Sequence, residues 1–173
     1  MTLLSPAVLG ALLLASLSTA ADYVWFMGIP GHQLSSGLIH GGVLFATLGG
    51  YLGWRKGKLG AGVIGGLLSG TVAAGSFYAL APIGGYSMML VSWLLLWIML
   101  AALQTYADGQ LDPMRAISHG TVTAIVAALG FTVVLFQLYR GWPPATFPGV
   151  KHFVAWSMAY VPGLYVLLQP RRT

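Results

Sequence analysis

Six apolar runs, each of a length that crosses a bilayer, follow one another along the chain with only short breaks between them. They cover residues 3–26, 37–54, 59–82, 86–106, 116–139 and 150–168. A hydrocarbon core roughly 30 Å thick takes about 20 apolar residues per helix, so six spans and their connections use nearly all 173 residues. Only 6% of the residues are charged, against about 25% in soluble domains, which is too few to cover a soluble surface. A membrane β-barrel would alternate apolar and polar residues over segments of about ten, whereas these runs are continuous. The expected fold class is therefore all-α: a polytopic membrane helix bundle of about six transmembrane helices, forming a single integral membrane domain over residues 1–173.

The breaks explain themselves chemically. Gly28-Ile29-Pro30-Gly31, Arg55-Lys56-Gly57-Lys58, Pro82-Ile83-Gly84-Gly85, the segment 108–113 and the segment 141–149 each combine proline, glycine or charge, the residues that end helices and make turns. Connections this short make successive helices antiparallel, so the breaks alternate between the two sides of the membrane. One side then holds Arg55, Lys56, Lys58, Arg115, Arg171 and Arg172, and the other only Arg140 and Lys151. Basic residues mark the cytoplasmic side, which puts both termini there. Tyr23, Trp25, Tyr86, Tyr139 and Trp142 then fall at the outer interface, and Trp54 and Tyr106 at the inner one, where amphipathic rings settle. The expected location is a membrane, with the bacterial inner membrane as the default for a compact chain lacking a recognised organelle signal.

The net charge of +5 thus reads as topology. The basic residues sit at the ends of apolar runs and not on a face with interleaved aromatics, which argues against nucleic acid as a partner. The expected partners are the lipid bilayer and either a second copy of the chain or other membrane helices. The first run carries a competing reading, because Ser18-Thr19-Ala20 followed by Ala21-Asp22 offers the small residues that signal peptidase cuts after. Residues 1–6 lack the lysine or arginine of a signal peptide, which favours a retained first helix. Cleavage would leave five helices with unchanged orientation.

In the third run Gly62, Gly66 and Gly70 repeat every four residues, with Gly65, Ser69 and Ala73 beside them. Small residues at this spacing let helix backbones approach closely; the alternative is a ridge lining a substrate path. A similar set, Gly37, Gly41, Gly49 and Gly53, marks the second run. The titrating candidates near neutral pH are His32, His40, His119 and His152, since histidine alone ordinarily changes charge there. His40 and His119 lie inside spans at opposite membrane faces, about 20 Å apart along the normal, so they do not share one haem iron. A polar group inside a span needs a partner or water, which makes both candidates for a ligand site or pathway. Each precedes glycine, and if the bundle is two inverted three-helix halves they are related about the midplane, a transporter layout.

The outer side gathers His32, His40 and His152 with Asp22, a donor set that suits zinc, copper or non-haem iron. No two of these histidines stand three or four residues apart, so the spacing is not diagnostic of a metal. The chain has no cysteine, which removes disulfides and thiolate metal sites. Asp108 and Asp112 belong to a polar turn and read as turn and capping residues. No paired acids or nucleophile with a neighbouring base are recognisable, which weighs against an enzyme. No cofactor is specified. The leading expectation is a protein that binds or transports a small or lipidic molecule, using Asp22, His40, His119 and the ridge of Gly62, Gly66 and Gly70. The alternatives are a non-catalytic membrane-complex subunit or assembly factor, and a membrane metal or redox protein built on the outer histidines.

Overall fold

The structure, a computed structural model, describes residues 4–26, 33–138 and 149–169. It is all-helical, with six α-helices: α1 (Leu4–Phe26), α2 (Gln33–Trp54), α3 (Leu59–Gly84), α4 (Met88–Ala107), α5 (Pro113–Leu138) and α6 (Gly149–Leu167), plus a 3₁₀ turn at Gly85–Ser87. Among the described residues, four helices are long and apolar enough to cross a membrane: α1 over Pro6–Val24, α3 over Leu59–Gly84, α4 over Met88–Ala107 and α5 over Pro113–Val134. The second and sixth apolar runs also form helices, but these two are not among the four. The reason is composition. Helix α2 carries six glycines with Ser35, Ser36 and His40, while α6 has Lys151 and His152 in its first turn and Pro162 in its interior.

Helix ends follow local chemistry. Helix α2 starts at Gln33, four residues before its apolar run, because the polar Gln-Leu-Ser-Ser segment winds into the helix as well. Helix α3 runs through Pro82 and stops at Gly85, which has φ +61°, a conformation open to glycine without a Cβ penalty. Helices α2 and α4 end alike. After α2, the Gly57 and Lys58 amides donate to the Trp54 and Gly53 carbonyls; after α4, those of Gly109 and Gln110 donate to Tyr106 and Thr105. Gly57 and Gly109 have φ +69° and +79°, so both ends are Schellman caps. Helix α5 starts with Pro113 at its first position and Asp112 as its cap, the Arg115 amide donating to Asp112 Oδ1 at 3.0 Å, as expected for a proline that needs no N–H there.

The chain divides into two compact units, one of residues 1–29 and 125–173, the other of 30–124. The first contains α1, α6 and the later part of α5; the second contains α2, α3, α4 and the start of α5. The first unit is not a run of consecutive helices, because α1 pairs with α6. The small buried face of α1, Ala7, Ala11, Ala15 and Ser18, and that of α6, Ala155, Ala159 and Gly163, let these two helices come close.

In the second unit α2 and α3 meet through their glycines. A Cβ on Gly66 would fall on the Phe45 carbonyl oxygen, one on Gly70 on that of Gly41, and one on Gly62 on that of Gly49. Each carbonyl belongs to the backbone of α2, so the approach depends on the missing side chains. At the end of this unit where α2 and α4 terminate, Lys56 pairs with Asp108 at 2.7 Å. Lys58 Nζ donates to the Tyr106 carbonyl at 3.0 Å and lies 4.9 Å from the Tyr106 ring centroid. A cation thus caps the negative end of α4 and covers an aromatic face.

Candidate functional site

Five polar side chains of the first unit meet between α1 and α6. On α1, Ser18 and Asp22 stand four residues apart; on α6, so do His152, Trp156 and Tyr160. Side chains at that spacing share one helix face, so each helix presents a polar line to the other. The two lines pair in antiparallel register. Ser18 Oγ and the Tyr160 hydroxyl are 3.0 Å apart. One turn along, the Trp156 indole N–H donates to Asp22 Oδ2 at 2.6 Å, and His152 Nδ1 lies 2.8 Å from the same oxygen.

Aromatic packing holds the donors in place. Trp156 stacks on Tyr160 with ring centroids 5.5 Å apart and meets Phe131 of α5 at 4.6 Å. Ser18 and Tyr160 are buried, whereas the side chains of Asp22 and His152 are 22% and 23% exposed. The ladder therefore runs from a closed hydroxyl pair to a carboxylate and imidazole that water or headgroups can reach. An ionised carboxylate away from water is costly unless donors surround it, and hydrogen bonds to a charged acceptor are among the stronger ones. When the imidazole is protonated, its contact with Asp22 becomes an ion pair. Beside Asp22 on α1, the buried Thr19 Oγ1 has no hydrogen-bond partner among the described residues.

Comparison with protein-family models, curated proteins and solved structures returns no match.

Of the residues expected at a site, the structure brings Asp22 and His152 together. His32 lies outside the described residues, and His40 belongs to the other compact unit. Among the described residues no three histidines or carboxylates are placed to hold a metal ion. Asp22 and His152 supply two donors of such a set. His40 is half-buried seven residues after the start of α2, and His119 half-buried six residues after the start of α5. The glycine after each has a packing role. Gly41 lies against the Gly70 carbonyl of α3, and Gly120 against the Ile98 backbone of α4.

Gly62, Gly66 and Gly70 are buried on the face of α3 that meets α2, so this ridge forms a helix-to-helix contact. A glycine in the first unit works similarly. Gly130 of α5 lies against the Met158 carbonyl of α6. In a regular helix that oxygen accepts from the amide four residues on, here Pro162, which has no N–H.

Sequence reasoning missed Ser18, Trp156 and Tyr160 as members of this ladder. The available signal was the four-residue spacing of 18 with 22 and of 152 with 156 and 160. It acquires meaning only once α1 and α6 are known to be neighbours.

Proposed function

We propose that this chain is a six-span membrane protein with both ends cytoplasmic that binds or moves a small or lipidic molecule, and that the ladder around Asp22 forms the polar part of its binding site. The observation that carries this reading is the carboxylate of Asp22 inside the apolar helix α1, met by His152 and Trp156. Ionisable groups within membrane helices are expensive and mark ligand, ion or proton sites. At 1.5 Å per residue, Asp22 and His152 lie roughly 5 Å from the ends of their helices, a depth where a polar head can sit while an apolar body extends along Phe131 and Trp156.

Other features support the topology. Helices α2 and α6 have 22 and 19 residues, about 33 and 28 Å at the helical rise, close to a bilayer's thickness. The Lys56 to Asp108 pair joins the second and fourth connections at one end of their unit, in keeping with the charge count. The passage of α1 through 18–22 into contact with α6 supports its retention as a helix. Docking a partner helix on the glycine ridge would require α2 to leave it, which makes the subunit reading the weaker one.

The test is native mass spectrometry of the full chain released from a mild detergent. The wild type is expected to retain a small or lipidic molecule that Asp22→Asn loses. Equal retention by the two proteins would reject the ladder as the binding site.

A further inference from the structure

Both donors to Asp22 end on one oxygen, Oδ2: the Trp156 indole at 2.6 Å and His152 Nδ1 at 2.8 Å. With the carboxylate ionised, the imidazole contact requires a proton on Nδ1, because Asp22 can then only accept. Uptake of a second proton by the imidazole places it on Nε2. That uptake changes the pair from a net charge of −1 to 0 and converts a hydrogen bond into an ion pair. The indole cannot titrate, but it shares the oxygen whose electron density this change redraws.

We propose that Asp22 and His152 form a proton-binding site and that Trp156, through the shared Oδ2, couples its charge state to the contact between α1 and α6. The inference deepens the reading of the same ladder by naming the proton as a species the site takes. Among the described residues of α1, α6 and the adjoining part of α5, the other charged or titratable groups near the pair are these. Along α1, Tyr23 follows Asp22; on α6, Lys151 precedes His152 and Tyr160 lies two turns on; the 125–134 stretch of α5 has none. The geometry suits reversible exchange. The imidazole and carboxylate are partly exposed, so protons reach them, while the stacked Trp156 and Tyr160 behind them are buried and carry the change into the packed part of the helix pair.

The experiment uses the full chain in detergent, labelled with ¹⁵N in histidine and tryptophan, with the Trp156 indole signal assigned by its loss in Trp156→Phe and the His152 ring by its loss in His152→Gln. Between about pH 5 and 8, where histidine ordinarily changes charge, the Trp156 indole and the His152 ring are expected to move with one midpoint. In His152→Gln the movement of the indole is lost. In Asp22→Asn, which removes the shared carboxylate, the indole stays still. An indole that stays still in the wild type while His152 titrates would overturn the proposal, as would an indole that still moves in His152→Gln. If Asp22→Asn does not fold, His152→Gln alone decides. The measurement needs no bound molecule, so a negative result rejects the proton site and leaves the retention test standing, and failure of the retention test leaves this one intact.

Discussion

Gly66→Ala is expected to separate α2 from α3, and the size of the effect can be worked from the contact. The added Cβ would fall on the Phe45 carbonyl oxygen and lie 2.8 Å from that carbonyl carbon and 2.9 Å from Gly49 Cα. Carbon atoms pack at about 3.5–4.0 Å, so the backbones must part by about 1 Å. A gap of that order forfeits roughly a quarter to a half of the attraction between the atoms on either side. Overpacking ordinarily costs about 1–3 kcal/mol. Here every obstructing atom is backbone and none can rotate away, which puts the cost near the upper end, about 3 kcal/mol. Gly60→Ala on the same helix is the reference, because a Cβ there meets nothing within 4 Å. Both variants gain the same helix preference of alanine over glycine, about 1 kcal/mol, so their difference isolates the packing cost. For a chain of this length it corresponds to a melting temperature about 6–12 °C lower for Gly66→Ala, read by tryptophan fluorescence in detergent. Equal melting temperatures for the two variants would refute the close-contact argument.

Two further outcomes test the end at which α2 and α4 terminate. A double-mutant cycle on Lys56→Ala and Asp108→Ala is expected to give a coupling of only about 0.2–1 kcal/mol, weakened by added salt, because the side chains are 41% and 23% exposed. Asp112→Ala removes the acceptor for the Arg115 amide and is expected to cost about 1 kcal/mol of stability, measured by denaturation of the full chain, with Asp112→Asn restoring most of it.

What the sequence made legible was local. Helix positions came within four residues of those observed, because proline, glycine and charge act on the residues beside them. The cap at Asp112 and the glycine turns were readable for the same reason. The spacing of Gly62, Gly66 and Gly70 announced a close helix contact without naming α2 as its other side, since small residues identify a surface and not its neighbour. The site was less accessible. Asp22 was visible as a lone carboxylate near a helix end, and His152 as one of four histidines. Their pairing spans 130 residues, and nothing local distinguishes His152 from His40 or His32 as the partner. The division into units was hidden by the same effect, because it depends on α1 choosing α6.

That choice bears on how the chain enters the membrane. Asp22 is made before the groups that satisfy it, His152 and Trp156, which follow 130 and 134 residues later. At a synthesis rate of about 5–20 residues per second, the carboxylate waits on the order of ten seconds for its partners. On the proposed topology, α1 meanwhile keeps the charge at the wet edge of the bilayer, and completion of the first unit waits for α6.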